Sequence, residues 1–244
     1  MLVREGEERS NDVDQKLACT LAAIAGALNT AAFYAVGFFA ANMTGNVSSF
    51  SNNLALGNIV VGLFFLMIVS TFVAGAAVST LLINAGRRKG INGIYAYSIL
   101  LEAGLLALLG CADLWLPVGD RTPVLVLGLS FLMGLQNAVV TRISDARVRT
   151  THVSGMSTDI GIELGMLIDI ASGRESGANA GHYRDKLRLH GMTVLSFFAG
   201  GIVGVLVYRA LEGAMLIATA ALLFAIAMNG LVGARRLRIL SQTE

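Results

Sequence analysis

Six stretches of this chain are apolar over about the length a helix needs to cross a bilayer, ~20 residues at 1.5 Å each. They run from Leu17 to Ala41, Asn58 to Ile83, Ile94 to Leu114, Pro123 to Val140, Met192 to Tyr208 and Ala214 to Val232. Lipid supplies no hydrogen-bond partner for backbone, so such stretches read as helices, which satisfy their own amides. The composition agrees: 55% of residues are hydrophobic, 14% are charged, and the mean hydropathy of +0.69 is too high for a soluble domain. The expected fold is an all-α polytopic membrane protein of about six transmembrane helices.

Between and beyond these spans the chain divides as follows. Residues 1–16 form a polar tail of mixed charge (Arg4, Glu5, Glu7, Glu8, Arg9, Asp12, Asp14) with no apolar core of a cleavable signal. Pro123 is expected to open the fourth span, where its missing N–H costs nothing. Ser157 to Ile170 reads as a further helix, with Met156, Ile160, Leu164 and Leu167 on one side and Asp159 and Glu163 on another. Ser172 to His190 reads as a hydrophilic loop, and residues 234–244 as a basic C-terminal tail. Lys and Arg cluster at 87–89, 142–188 and 235–238, whereas only Arg121 and Arg209 fall in the opposite loops. The positive-inside rule then predicts cytoplasmic N- and C-termini. Trp115, Tyr95 and Tyr208 near segment ends fit interfacial anchoring, and packing explains them equally well.

Two polar, glycine-containing interruptions organise the apolar sequence. Asn42-Met43-Thr44-Gly45-Asn46 follows the first span, and Thr151 to Thr158, with Ser154-Gly155 at its centre, follows the fourth. The first carries no charge and runs on into a Ser- and Asn-rich stretch, which suits backbone buried in protein or lining a cavity. Each is preceded by Gly-x-x-Asn, as Gly26 to Asn29 and Gly134-Leu135-Gln136-Asn137. At ~1.5 Å per residue Asn29 lies roughly 18 Å into its span and Asn137 about 21 Å, both near mid-bilayer. The spacing from Asn to the second motif is fifteen positions in one case and seventeen in the other, so the register needs a small insertion. With three spans in each half, residues 17–114 and 115–233, the halves must point in opposite directions. The expectation is two inverted three-helix repeats with interrupted or re-entrant segments after helices 1 and 4, a plan shared by many secondary transporters.

Gly37-Phe38-Phe39-x-x-Asn42-Met43-Thr44-Gly45-Asn46, Gly134-Leu135-Gln136-Asn137 and Thr151-x-Val153-Ser154-Gly155 resemble motifs of the YoaK-like family of bacterial inner-membrane proteins. Its domain, of unknown function, spans nearly the whole chain. The resemblance implies about six helices and a multi-pass place in the bacterial plasma membrane, and brings no substrate or activity. Many relatives carry Asp where this chain has Asn29, which argues against a proton-linked role at that position.

Gly45 and Gly155 each precede an expected helix, with Thr44 or Ser154 as cap, and free N–H groups there suit an anion or polar ligand group. The alternative is a plain capped turn. Asn29 and Asn137 either hydrogen-bond a solute at mid-membrane or join helices to one another. The candidate substrate-binding set is therefore Asn29, Asn42, Thr44, Gly45, Asn46, Gln136, Asn137, Thr151, Ser154, Gly155 and Thr158. Glu102, deep in the third span, is a functional candidate because an ionisable group there costs ~2.5–3.5 kcal/mol or more. With Asp159 and Glu163 it completes the proton-coupling candidates, although the latter two are simply solvated if their helix lies on the cytoplasmic surface. The run Arg142, Arg147, Arg149 reads as a topology signal beside anionic lipid; without aromatic partners it does not suit nucleic acid. Gly75 and Gly200-Gly201-x-x-Gly204 read as close-packing positions.

Cys19 and Cys111 read as small buried residues, and the three histidines have no zinc-ligand spacing, so no metal or other cofactor is expected. Neither a Ser/His/Asp pattern nor a nucleotide loop points to an enzyme. The favoured function is secondary transport of a small polar or anionic molecule, with protons as candidate coupling ions. The alternative is a membrane-embedded interaction or assembly protein without transport activity. Expected partners are the lipid bilayer and a small-molecule substrate, with a homo-oligomer left open and no nucleic acid.

Overall fold

The computed structural model describes Leu2 and residues 10–240. Apart from Leu2, the first nine residues of the expected polar tail lie outside the described residues, as do the last four of the basic tail. The described residues form eight α-helices and no strand: α1 (Asn11–Val36), α2 (Met43–Ala55), α3 (Ile59–Arg88), α4 (Ile94–Trp115), α5 (Val118–Ile143), α6 (Val153–Ala171), α7 (Ala180–Leu211) and α8 (Gly213–Leu240). A short 3-10 turn at Gly177–Asn179 leads into α7. Six helices (α1, α3, α4, α5, α7 and α8) are long and apolar enough to cross a membrane. The protein is an all-helical, multi-pass membrane protein.

Contacts between helix ends fix the course of the chain. Tyr34 near the end of α1, Asp113 near the end of α4 and Tyr208 near the end of α7 gather with Arg121 at the start of α5. At the other end, Asp14 in the first turn of α1 pairs with Arg147 just beyond α5, and Asn11 donates to Asp185 of α7. Helices α1, α4 and α7 therefore run one way and α5 the other. Gly213 of α8 abuts Gly110 of α4, while Ala234 of α8 approaches Gly93, so α8 runs with α5. The Arg87–Tyr95 bond closes the tight turn from α3 into α4 at the end where Arg88, Lys89, Arg142 and Arg147 also lie, here called the basic end.

Packing is closest along three pairs: α1 on α7, α3 on α5 and α4 on α8. In the first two, glycine lets backbone meet backbone. A Cβ on Gly26 would lie 2.0 Å from the Phe197 carbonyl oxygen, and one on Gly200 would lie 2.0 Å from that of Ala23. Across α3 and α5 the same device recurs, with Gly134 against the Phe72 carbonyl (1.9 Å) and Gly75 against that of Phe131 (2.0 Å). With no extra hydrophobic drive between helices in lipid, such close approach is what holds them together. Thr30 Oγ1 donates to the Gly201 carbonyl at 2.9 Å and Ser130 Oγ to that of Ile68 at 2.8 Å, adding one bond to each crossing.

Several boundaries differ from the sequence reading. Helix α1 starts at Asn11 and stops at Val36, because Gly37 turns left-handed (φ 77°) and donates its N–H back to Phe33. Pro123 lies inside α5, which starts at Val118; so near the N-terminal end it removes one ladder bond without stopping the helix. The expected loop from Ser172 to His190 is largely the first turns of α7, where His182-Tyr183-Arg184-Asp185-Lys186-Leu187-Arg188 holds good helix formers and no proline. Helix α6 buries Met156 and Glu163 and leaves Leu164 exposed, so its packed face includes the acidic side. Cys19 and Cys111 are free and half-buried.

Candidate functional site

Both interruptions become short helices that start inside the bundle. After α1 the chain folds back along itself: the Ala41 N–H bonds Asn29 Oδ1 at 2.8 Å, and the Phe33 and Phe39 rings stack at 4.2 Å. After α5 the return is held by Asn137, which donates to Thr151 Oγ1 at 2.8 Å and to the Met133 carbonyl at 2.8 Å, and accepts from Thr150 at 3.3 Å. Each asparagine thus sets the level at which the following helix begins. The backbone of the second return is strained where Asp145 and Ala146 take left-handed φ values of 51° and 61°, a conformation that non-glycine residues adopt at a cost.

The caps lie two residues earlier than expected. Asn42, not Thr44, caps α2 by accepting from the Gly45 N–H at 3.1 Å, and His152, not Ser154, occupies the same place before α6. Thr44 and Ser154 lie within the first turns. The glycines follow from this geometry. A Cβ on Gly45 would fall 2.4 Å from the Asn42 side chain, and one on Gly155 2.4 Å from the His152 ring. In each case the residue before the helix folds over its first turn, and only glycine leaves room.

The two helix starts open onto one cavity of about 690 Å³. Of the residues expected to bind a substrate, Asn29, Asn42, Thr44, Gly45, Asn137, Thr151 and Ser154 line it. Phe72 of α3 and Phe197 of α7, whose carbonyls take part in the glycine crossings, form apolar walls. Asn46, Gln136, Gly155 and Thr158 do not line it. Asn46 is buried and donates to the Phe39 carbonyl at 3.2 Å, bracing the first return; Thr158 bonds the Ser154 carbonyl within α6. Gln136 is wholly buried and donates to Glu102 at 3.0 Å, tying α5 to α4. Glu102 is likewise fully buried and away from the cavity lining.

The basic run that read as a topology signal beside anionic lipid is put to three separate uses. Arg142 donates to Asn84 of α3 at 2.7 Å, Arg147 pairs with the buried Asp14 at 3.4 Å, and Arg149 lines the cavity with its guanidinium 3.1 Å from His152 Nδ1. Among the described residues no carboxylate lines the cavity, and the charge they place there is that of Arg149, reinforced by the first-turn amides of α2 and α6. Such a lining can hold a polar or anionic group through hydrogen bonds, with aromatic walls for an apolar portion.

Two polar clusters escaped the sequence reading. Tyr208, buried, donates to Asp113 Oδ2 at 2.6 Å, and Arg121 bonds both Asp113 and Tyr208, which locks α4, α5 and α7 together away from the basic end. At the basic end Glu163 of α6 meets His190 of α7 at 2.9 Å. Helical spacing does not pair residues so distant in sequence, although Asp113 near the end of an apolar span was a visible signal. Among the described residues no group of three or more His, Cys, Asp or Glu side chains is placed to hold a metal ion.

The model of the family described as "Protein of unknown function (DUF1275)" matches residues 17–228. No curated protein and no solved structure matches the chain. The match covers all six spans except the first turns of the first and the last turns of the sixth, and includes both interruptions, so this multi-pass helical membrane protein belongs to the DUF1275 family.

Proposed function

We propose that this protein is a secondary transporter of a small polar or anionic solute, with the cavity between the α2 and α6 starts as its binding site. The observation that carries the reading is that both interruptions, far apart in the chain, contribute to a single cavity of about 690 Å³, within the ~300–1,000 Å³ usual for small-molecule sites. An assembly protein has no need of such a space, and a tightly packed centre would suit it better.

The two halves are read as inverted repeats, α1–α4 and α5–α8. In support, α1 and α5 run oppositely, and the Gly26–Phe197 and Gly200–Ala23 crossings have counterparts in Gly134–Phe72 and Gly75–Phe131. Helix α2 packs on α3 as α6 does on α7. Rocking of one repeat against the other about the fixed cavity is the corresponding motion. Within the family we place the chain with the YoaK-like proteins of the bacterial inner membrane, on Met43-Thr44-Gly45-Asn46 and Gly134-Leu135-Gln136-Asn137. The basic end is assigned to the cytoplasm by the positive-inside rule, with both termini on that side.

Single cysteines at Thr44 and Ser154, in a Cys19→Ala/Cys111→Ala background, test the reading in intact cells and in inverted vesicles. Both are expected to react with a membrane-impermeant maleimide, and small carboxylates or inorganic phosphate screened as solutes should slow the reaction. If neither cysteine reacts from either side, the cavity is not a water-filled site and the proposal fails.

A further inference from the structure

The two helix starts that meet at the central cavity are alike in shape and unlike in chemistry. At the α2 start Asn42, Thr44 and Ser48 supply only neutral groups. At the α6 start the Arg149 guanidinium lies 3.1 Å from His152 Nδ1, and Thr151 and Ser154 add hydroxyls. Phe39, Phe72 and Phe197, with Ala41, Met43 and Val153, make much of the remaining lining apolar.

The contact with Arg149 fixes the role of the imidazole. Arginine donates and never accepts, so Nδ1 is the acceptor and the proton of the neutral ring lies on Nε2. The ring lies over the first turn of α6, where a Cβ on Gly155 would meet it at 2.4 Å. With its one acceptor nitrogen already taken, it offers nothing to the amides beneath it. Accordingly α6 has no side-chain cap, whereas Asn42 caps α2 through the Gly45 N–H. The first amides of a helix need an acceptor from outside it.

Arg149 is not neutralised either. Among the described residues Arg121, Arg147 and Arg174 each face a carboxylate, and Arg149 faces none. A cation with donors to spare therefore stands beside uncapped amides, an Nε2–H and two hydroxyls. Donors outnumber acceptors at this end, and a carboxylate, with two acceptor oxygens, is the group that suits them.

The charge count and the walls narrow the class. One fixed positive charge matches one negative charge, and a dianion would bring a second with no partner. An ammonium group would meet no carboxylate among the described lining residues. Inorganic phosphate would leave the phenyl rings unused, and a cavity of about 690 Å³ is far larger than one such ion needs.

We propose that the cavity selects organic monocarboxylates with an aromatic or branched apolar body. Arg149 at the α6 start holds the carboxylate and determines the specificity, and Phe39, Phe72 and Phe197 receive the body. Amino acids, amines, dicarboxylates and inorganic phosphate are discriminated against. The inference rests on the transport reading of this cavity and names its substrate class.

The test uses the full-length chain in lipid nanodiscs at neutral pH, with Thr44→Cys in the Cys19→Ala/Cys111→Ala background. The readout is the concentration of each probe that halves the reaction with a hydrophilic maleimide. Phenylpropionate is expected to protect at concentrations about tenfold or more below those of phenylalanine, which adds only an ammonium group, and of phenylethylamine, phenylsuccinate, propionate and inorganic phosphate. Arg149→Gln should raise the phenylpropionate concentration by about tenfold or more, as loss of a charge-assisted bond implies. It should leave protection by the neutral phenylpropanamide unchanged, which a general collapse of the site would not. Phe72→Ala should weaken phenylpropionate and not propionate. Equal protection by phenylalanine or phosphate, or an unchanged response to phenylpropionate in Arg149→Gln, overturns the proposed class. Protection by phosphate alone does so while leaving the transport reading standing, whereas a cysteine that never reacts sinks both. Should Arg149→Gln not run as a monodisperse species, the ranking of probes in the parent decides.

Discussion

The glycine crossings make a demanding prediction about stability. In Gly26→Ala the new methyl would sit 2.0 Å from the Phe197 carbonyl oxygen, where ordinary contact begins at 3.4 Å. The obstacle is helix backbone, so no side-chain rotation relieves it, and α1 and α7 must separate by the difference, about 1.4 Å. Adjacent helices lie ~8–10 Å apart, and a gap of even 0.5–1 Å forfeits roughly a quarter to a half of each dispersion contact along the seam. Overpacking of this kind costs ~1–3 kcal/mol. The higher helix propensity of alanine returns at most ~1 kcal/mol, so a net loss on the order of 2 kcal/mol is expected. On the scaling for chains of this size, the midpoint should fall by about 4–8 °C. The assay is thermal unfolding in detergent, followed by a thiol-reactive dye that reports exposure of Cys19 and Cys111, both half-buried in the fold. Gly134→Ala, against Phe72, should match it, whereas Gly104→Ala and Gly165→Ala, with nothing within 4 Å, should be neutral or slightly stabilising. Gly26→Ala and Gly200→Ala act on one crossing, so their combined loss should be less than the sum. If Gly26→Ala melts with the parent while Gly104→Ala does not, the close backbone approach is wrong and the α1–α7 packing must be redrawn.

Two further outcomes follow from the buried polar clusters. Arg121→Ala strands the buried Asp113 beside Tyr208 and should cost ~3–5 kcal/mol, while Asp113→Asn/Arg121→Met should recover part of it; equal stability of Arg121→Ala and the parent in the same melt would refute the latch. Glu102→Gln keeps a bonded side chain opposite Gln136 and should shift stability by less than about 1 kcal/mol, whereas Gln136→Leu leaves Glu102 without its donor and should cost ~1–3 kcal/mol. The melting order Gln136→Leu below Glu102→Gln checks it, and the reverse order would assign Glu102 more than a packing role.

The six spans, the two interruptions and the bias of Lys and Arg toward one end were legible in the linear chain, because each rests on a local property. Apolar length sets what can cross lipid, and a run of Asn, Ser, Thr and Gly marks backbone that lipid cannot face. Gly75 and Gly200 could be read as packing positions for the same reason: small residues signal close approach wherever they occur. What approaches them could not be read. That Phe197 lies over Gly26 and Phe72 over Gly134 depends on helices meeting across most of the chain. The same holds for partners separated by many turns: Gln136 for Glu102, Arg121 and Tyr208 for Asp113, His190 for Glu163. Gln136 accordingly left the cavity for the core, and Arg149, still exposed, joined the cavity lining. Helix α2, too polar to announce itself by hydropathy, exists because Asn29 and Asn42 hold its start inside the bundle and α3 supports its length. Local chemistry thus determined which segments enter the bilayer and where they break; only tertiary packing decided which side chains face one another there, since those contacts join residues that no sequence period relates.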